Sequence, residues 1–260
     1  MALLHVEGLT HHFGGVSALD RVSFSVERGT IVSVIGPNGA GKTTVFNCVT
    51  GVLRPQAGHI RFGGVPEAEL VGLRPDQIAQ CGISRTFQNV RLFANMTVLE
   101  NVLVGTHVRT RATFLDALWR HGAVRREEHW TSERAHQLLQ WAGLHATASQ
   151  LAASLPYGLQ RRLELARALA ADPQLLLLDE PSAGLASGEK RDLLDLLRQL
   201  KAQGVTILLI EHDMQVVMPI SDRVVVLDYG AKIAEGPPAV VREDPAVIEA
   251  YLGPQERSSS

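Results

Sequence analysis

The sequence predicts an α/β fold, in which a parallel or mixed β-sheet is covered by helices on both faces. Apolar runs typical of buried strands, such as "LLLLDE", "GVTILLIEHD" and "DRVVVLDYG", alternate with helical segments such as "EKRDLLDLLRQLKAQG". A second observation is a stretch with helical spacing between residues 98 and 150, where Ala135, Leu138, Leu139 and Ala142 recur on one helix face. We therefore expect an α/β core that is interrupted by a mostly helical insertion.

Composition and charge narrow the class of protein. The 260 residues are 45% hydrophobic and 20% charged, which is typical of a globular protein, and the net charge of −2 gives no electrostatic argument for binding nucleic acid. The two cysteines, Cys48 and Cys81, lack the spacing of a metal site or a disulfide framework, so we expect a reducing compartment. Because no apolar run approaches the ~20 residues of a membrane span, we expect that the chain does not itself cross a membrane.

The predicted elements follow one another in a regular order. In the first third, "RVSFSV", "TIVSVIG" and "GHIRFGG" predict strands, and "KTTVFNCVTGVL" predicts a helix that ends near Gly51. The insertion then brings the helical segments "TVLENVLVGTHV", "TFLDALWR" and "SERAHQLLQWAGL". A further helix starts near Gly158, and from Leu175 onward strands and helices alternate again.

A glycine-rich stretch, "GPNGAGKTT", fits the pattern G-x-x-x-x-G-K-[ST] between a predicted strand and a predicted helix, which is the context of a phosphate-binding loop. Its glycines let successive N–H groups face a phosphate, and the helix N-terminus adds partial positive charge. The amine of Lys42 is suited to reach the β- and γ-phosphates, and the hydroxyl of Thr43 is suited to bind Mg²⁺. The predicted nucleotide-binding residues of the loop are Gly36, Pro37, Asn38, Gly39, Ala40, Gly41, Lys42, Thr43 and Thr44.

Two acids, Asp179 and Glu180, end the apolar run "LLLLDE". Ligands of open α/β sheets bind at the carboxyl ends of strands, where Asp179 is suited to hold Mg²⁺ and Glu180 to act as general base toward water. Taken alone, an Asp-Glu pair at the end of a strand is without function about as often as it is functional. A histidine at the end of a strand, such as His212 after "TILLIE", usually has no special role. The phosphate loop upstream favours the functional interpretation of the acids.

Together these motifs resemble the ATP-binding subunits of ABC transporters, and the similarity runs from "LHVEGLTHHFGG" to "AVIEAYLG". The resemblance implies that Phe13 stacks on adenine, that Gln88 senses Mg²⁺ and the γ-phosphate, and that His212 hydrogen-bonds the γ-phosphate. Without it, Phe13 would be a core aromatic and Gln88 a loop amide. The implied catalytic residues are Glu180, His212 and Lys42, and the implied Mg²⁺ ligands are Thr43, Gln88 and Asp179.

The family's signature turn, L-S-G-G-Q, corresponds to "LPYGL" at residues 155–159, which we call the signature turn here. Pro156 offers neither the serine hydroxyl nor a backbone N–H. The N–H groups of Tyr157 and Gly158 can still bind phosphate at the start of the helix. A second departure is Ala186 in "SAGLA", where the family usually has aspartate.

Several segments resemble the subgroup that serves branched-chain amino acid uptake: "LPYGLQRRLELARAL", "RTFQNVRLFANMTVLENV" and "DPAVIEAYLG". The implied fold is an ABC-type nucleotide-binding domain, that is, an α/β P-loop NTPase (RecA-like) core with an N-terminal antiparallel β subdomain and a helical insertion. We expect one domain over residues 1–260, with the core at 1–88 and 163–235, the helical subdomain with the signature turn at 89–162, and a C-terminal extension at 236–260.

The resemblance also implies a mechanism and partners. A second ATPase subunit, in a homo- or heterodimer, would sandwich two ATP molecules, so that the signature turn of each chain caps the γ-phosphate held by the other. Integral membrane permease subunits would bind the dimer at the cytoplasmic face of the inner or plasma membrane, and a periplasmic or extracellular solute-binding protein would act indirectly. Related transporters for urea or lipopolysaccharide, and a soluble non-transport ABC ATPase, stay open as alternatives.

Overall fold

The computed structural model describes residues 2–63, 67–88, 90–106 and 121–252, so the predicted helix "TFLDALWR" lies outside the described residues. The described strands are β1 (Ala2–Phe13), β2 (Val16–Glu27), β3 (Ile31–Ile35), β4 (Ala57–Phe62), β5 (Ala68–Glu69), β6 (Ile83–Arg85), β7 (Leu175–Asp179), β8 (Thr206–Ile210), β9 (Arg223–Asp228) and β10 (Ala231–Gly236). The described α-helices are α1 (Lys42–Val49), α2 (Pro75–Gln80), α3 (Val98–Thr106), α4 (His121–Trp141), α5 (Tyr157–Ala170), α6 (Ser187–Ala202), α7 (Met214–Ile220), α8 (Pro238–Glu243) and α9 (Pro245–Leu252).

The larger sheet forms the centre of the fold, with the strand order β10-β9-β3-β8-β7-β6. Its neighbouring strands are parallel except at one edge, where β10 runs antiparallel to β9. Every residue of β3, β7 and β8 is buried, which requires cover on both faces of the sheet. This is the mixed sheet that the apolar runs predict. The parallel direction brings the carboxyl ends of β3, β7 and β8 to the same edge.

The smaller sheet is antiparallel and has the strand order β2-β1-β4-β5. Its inner face shares one hydrophobic core with helix α1 and with the larger sheet, in which Leu4, Phe24, Phe46 and Leu177 are buried together. This N-terminal sheet is the predicted antiparallel subdomain. The backbone of β2 at Ala18 packs against the phosphate loop, because a Cβ on Gly41 would collide with the Ala18 carbonyl oxygen.

Helices α3, α4 and α5 form the helical part of the structure and share a second core, in which Val102, Leu139 and Leu163 are fully buried. Helices α3 and α5 approach so closely that a Cβ on Gly105 would overlap the carbonyl oxygen of Arg167. Helix α5 begins at Tyr157, one residue before the predicted start, and it continues across residue 162, where we placed the boundary of the helical subdomain.

Helices α7, α8 and α9 pack against strands β3 and β9 of the larger sheet. Val241 of α8 and Val247 of α9 pack with Val217 of α7 and Val226 of β9 in a third core. Across the described ranges, none of the helices combines the length and the apolar character needed to traverse a lipid bilayer.

Candidate functional site

The loop between β3 and α1 is wedged between neighbouring strands at positions where only glycine fits. Gly41 is the N-cap of α1 and has a left-handed φ of 99°. A Cβ on Gly36 would collide with the Leu227 carbonyl oxygen of β9, as one on Gly41 would with Ala18 of β2. The loop must therefore follow this path at the N-terminus of α1, where its N–H groups and the helix dipole favour an anion.

Lys42 directs its buried side chain back into this loop. Its Nζ donates hydrogen bonds to the carbonyl oxygens of Gly36 at 2.7 Å and Pro37 at 2.8 Å. Burial lowers the pKa of Lys42, while the negative charges of Glu180 and Asp179 act in the opposite direction. The amine thus lies between the phosphate loop and the two predicted acids.

The remaining loop residues leave one side of the loop open. Nothing lies within 4 Å of the Cβ position of Gly39, which has a φ of 83°. Asn38 and Thr43 are exposed, whereas Thr44 and Pro37 are half-buried and Ala40 is buried. The loop backbone at Gly39 is therefore accessible from this side.

Asp179 ends β7 in a buried ion pair that the sequence analysis missed. Its Oδ2 accepts a hydrogen bond from Arg85 Nη2 at 2.8 Å, and the two side chains are 5% and 9% exposed. Arg85 Nη1 also donates to Asn47 Oδ1 at 2.7 Å and to Thr50 Oγ1 at 3.2 Å. Arg85 therefore compensates the charge of Asp179 and ties it to the end of α1.

Glu180 follows with a left-handed backbone, at a φ of 46°, which is uncommon for a residue with a side chain. Its Oε2 accepts a hydrogen bond from Gln88 Nε2 at 3.0 Å, and its Oε1 lies 3.7 Å from His212 Nδ1. The backbone N–H of Glu180 donates to the Ile210 carbonyl oxygen at 2.9 Å. Such strained conformations cluster at active sites, because the surrounding structure holds a side chain where chemistry needs it.

A fully buried carboxylate, Glu211, joins the segments that follow β7 and β8. Its Oε1 accepts from the N–H of Ser182 at 2.9 Å, and its Oε2 accepts from the N–H of His212 at 3.1 Å and of Asp213 at 3.4 Å. Glu211 thereby fixes the backbone of His212 relative to the segment after Glu180. The acid in "IEHD" was the available signal, but we assigned a role only to the histidine.

Phe13 ends strand β1 and is 52% exposed, so it is not a core residue. Its ring packs edge-on against His11 with centroids 4.6 Å apart. Opposite Phe13 is Val16 at the start of β2, the strand whose Ala18 contacts Gly41. An exposed ring at this place is available for stacking on a flat ligand.

The signature turn contacts the segment at residues 183–189 of the same chain. The hydroxyl of Tyr157 donates to the Ala183 carbonyl oxygen at 3.3 Å, and a Cβ on Gly184 would lie 3.1 Å from the Tyr157 ring. Gly158 is buried, and a Cβ there would collide with the Glu189 carboxylate. A side chain at 158 would therefore have to displace the Glu189 carboxylate of the same chain, besides meeting the predicted phosphate.

The structure brings Lys42, Asp179, Glu180, Gln88 and His212 together at the carboxyl edge of the larger sheet. In the described part of the chain, no group of three or more His, Cys, Asp or Glu side chains is arranged to hold a metal ion. The amine of Lys42 and the N-terminus of α1 suit a negatively charged ligand such as a polyphosphate.

Comparison with known proteins assigns the family. Residues 19–183 match the family model described as "ABC transporter", and residues 231–253 match the one described as "Branched-chain amino acid ATP-binding cassette transporter". The chain belongs to the ABC transporter family. The predicted family, fold class and enzyme class, an ATPase coupled to transport, are thereby confirmed.

Individual relatives agree with this assignment over almost the whole chain. The chain is 49% identical to the high-affinity branched-chain amino acid transport ATP-binding protein BraF of Pseudomonas aeruginosa, over 96% of this chain and 98% of BraF. The crystal structure of the ADP conformation of MJ1267, an ATP-binding cassette of an ABC transporter, superposes with a TM-score of 0.84 at 34% identity, over 98% of this chain and 100% of that chain. A dimeric cassette, MJ0796 in a post-hydrolysis state with ADP and Pi, superposes with a TM-score of 0.74 at 26% identity, over 90% of this chain and 98% of that chain.

Proposed function

We propose that this ABC transporter chain is the ATP-hydrolysing subunit of an importer for branched-chain or related amino acids. The amino acid class is supported by the identity with BraF and by the match at residues 231–253. The individual solute would be selected by the membrane subunits and by a solute-binding protein, which are separate chains.

The single observation that carries the catalytic part is the placement of Glu180. Its carboxylate lies at the carboxyl edge of the sheet, hydrogen-bonded by Gln88 and beside His212, on the same edge as the loop of Lys42. In this arrangement Glu180 accepts the proton of the attacking water, Gln88 and His212 orient the groups around it, and Lys42 neutralises charge on the β- and γ-phosphates. The open backbone around Gly39 would cradle the phosphates, and the exposed Phe13 ring would stack on adenine.

The residues present also fit a magnesium ion bound together with the nucleotide. Mg²⁺ prefers oxygen ligands and is commonly held by one or two carboxylates plus substrate phosphates. Thr43 offers an exposed hydroxyl at the loop, Asp179 a carboxylate at the strand end, and Gln88 an amide oxygen. The ion, when bound, would stabilise the negative charge that develops on the transferred phosphate.

Two ATPase chains would act together, and the signature turn, which contacts the segment at residues 183–189 of its own chain, would serve the site of the second chain. The start of α5 would point its N–H groups at the ATP held by a second chain, as the dimeric state of the MJ0796 cassette suggests. In this proposal Tyr157 and Gly158 contribute to the partner's site rather than to their own.

The membrane subunits would dock in an apolar groove next to Gln88. A cavity of about 660 Å³ lies between the end of β6 and the helices, and its walls include Phe87, Arg91, Phe93, Val104 and Arg167. Phe93 is 47% exposed there, with the Arg167 guanidinium 5.6 Å from its ring centroid. A permease segment in this groove would touch the loop that holds Gln88. The chain would then be a peripheral subunit, and we propose the cytoplasmic face of the membrane as its side.

The test uses the purified full chain with ATP and Mg²⁺. We expect Glu180→Gln to bind ATP as the wild type does but to lose turnover by about a hundredfold or more, because the general base is removed. Lys42→Ala should weaken nucleotide binding itself. The exposed acid Glu243 supplies a matched control, since Glu243→Gln removes the same charge on helix α8, outside the phosphate loop and outside the segments that follow β7 and β8.

Wild-type turnover in Glu180→Gln would contradict the assignment of the general base. For the solute, the chain is co-purified with its membrane subunits, and the ligand of the associated binding protein is identified. Uptake of leucine into proteoliposomes of this complex, dependent on ATP and lost with Glu180→Gln, is the expected result. A complex that transports urea but no branched-chain amino acid would overturn the proposed solute class.

A further inference from the structure

We infer that Arg161, held by Glu164, is a positioning residue that fixes Gln88 beside Glu180 and connects it to the signature turn of the same chain. The inference rests on the proposed role of Gln88 and Glu180 in hydrolysis. In this inference, the Arg161–Glu164 pair of helix α5 controls the position of Gln88.

The first observation is a buried ion pair one turn into α5. Arg161 and Glu164 have side chains 5% and 2% exposed, and Arg161 Nη1 lies 3.2 Å from Glu164 Oε2. Burying two charges is costly, and a buried pair is therefore weak evidence for a role in stability alone. Its surroundings show what else the pair does.

The second observation is that both members of the pair bind the backbone around Gln88. Arg161 donates to the carbonyl oxygen of Phe87 at 2.9 Å and to that of Gln88 itself. Glu164 Oε1 accepts from the N–H groups of Phe87 and Arg91, each at 3.4 Å. The pair thus satisfies donors and acceptors on both sides of Gln88, whose side chain then reaches Glu180 at 3.0 Å.

The third observation lies on the other side of the arginine. The Arg161 guanidinium is 5.5 Å from the ring centroid of Tyr157, whose hydroxyl binds the Ala183 carbonyl oxygen. A continuous series of contacts therefore runs from Tyr157 through Arg161 and Gln88 to Glu180. In the proposed dimer, Tyr157 faces one ATP and Glu180 the other, so this series links the two sites.

The planar guanidinium is suited to this task. It donates to two carbonyl oxygens and a carboxylate in fixed directions while its face covers the Tyr157 ring. A lysine would keep the positive charge beside Glu164 but could not make this fork of contacts. Arg161→Lys should therefore retain stability better than it retains turnover.

The central experiment is a double-mutant cycle on the full chain. Arg161→Gln with Glu164→Gln removes both charges together, so that neither is left buried without its partner. We expect kcat to fall about tenfold or more, because small misplacements of catalytic groups are costly, while KM for ATP changes by less than about twofold. In a Gln88→Ala background the same pair of substitutions should cost nothing further, because the pair acts through Gln88.

A matched control comes from the next residue of α5. Arg162 forms a partly exposed ion pair with Asp192 and has no hydrogen bond to the Gln88 loop among the described contacts. Arg162→Gln with Asp192→Asn should leave kcat unchanged. Thermal melts of all variants separate loss of positioning from loss of fold.

Three results would overturn the inference. Full turnover in Arg161→Gln/Glu164→Gln, with Gln88→Ala impaired, would remove the pair from the mechanism while leaving the proposed function intact. Losses that add in the Gln88→Ala background would show that the pair acts elsewhere. A parallel fall of melting temperature, ATP binding and kcat, in this variant and in Arg161→Lys, would make the pair a stability element only. Wild-type turnover in Gln88→Ala would instead refute the proposed role of Gln88.

Discussion

Removing Arg85 tests whether the ion pair at Asp179 holds the site together. Arg85→Gln leaves the Asp179 carboxylate, 5% exposed, without its cation, and it also removes hydrogen bonds to Asn47 and Thr50. Removing one partner of a buried ion pair typically costs about 3–5 kcal/mol of the free energy of unfolding, because the other charge is left uncompensated in a low dielectric.

That cost is large against the about 5–15 kcal/mol by which a native protein is stable. At about 2–4 °C per kcal/mol for a chain of this size, the melting temperature should fall by roughly 6–20 °C. Arg85→Gln with Asp179→Asn removes both charges, and it should recover more than half of the loss. The recovered part of the stability measures the cost of the uncompensated Asp179 charge, and the remaining loss measures the missing hydrogen bonds of Arg85.

The assay is thermal unfolding followed by circular dichroism, without nucleotide, because bound ATP would stabilise the folded state by mass action. Urea unfolding gives the free energy directly from the midpoint and slope. A melting temperature of Arg85→Gln within about 2 °C of wild type, or a double variant no more stable than the single, would refute the reasoning.

Three further predictions concern other parts of the chain. Gly158→Asp places a second carboxylate against Glu189, so both the melting temperature and the ATPase activity should fall. Adding Glu189→Gln to this variant should restore the melting temperature but not the activity. Restored activity would contradict the phosphate-binding role of the signature turn. Asp213 caps α7 by accepting from the N–H of Gln215, and the hydrogen bond from Lys190 lowers the pKa of Asp213. The stability that this carboxylate contributes is therefore present above the ordinary pKa range of Asp, and it is lost as the pH falls through the lowered pKa. Asp213→Ala should reduce the free energy of unfolding by about 1 kcal/mol at pH 7, measured by urea titration, and by much less in strong acid. Burial raises the pKa of Cys48 to about 11, so iodoacetamide at pH 8 should label this thiol only after the protein is unfolded. Intact-mass spectrometry measures the labelling.

The sequence predicts the parts of the site whose signal is local. The phosphate loop needs only glycines and a lysine at fixed spacing between a strand and a helix, and the structure has Lys42 folded into that loop. Arg85 gave no such signal, because its partner Asp179 is 94 residues away in the chain and a single arginine in a short strand has many possible roles. Arg161 and Glu164 were equally hidden within an ordinary helical pattern.

The strands also differ in how clearly the sequence indicates them. The fully buried β7 and β8 are continuous apolar runs, which the sequence shows directly. The first strand, β1, was not distinguished as an element, although it pairs with both β2 and β4. Its register shifts between Val6 and Leu9 and again between Leu9 and His11, so the alternation of apolar and polar residues that marks a half-buried strand is broken.

The left-handed backbone at Glu180 has a consequence for how far this protein could be stabilised. A non-glycine residue in that conformation costs on the order of 1 kcal/mol or more, and a glycine would relieve the strain. The most economical sequence for the fold and the sequence needed for chemistry therefore differ at this position. Selection of a variant library for heat resistance alone would favour glycine at position 180. The selected protein would be more stable but inactive, so a trade-off between stability and activity is set by one backbone angle.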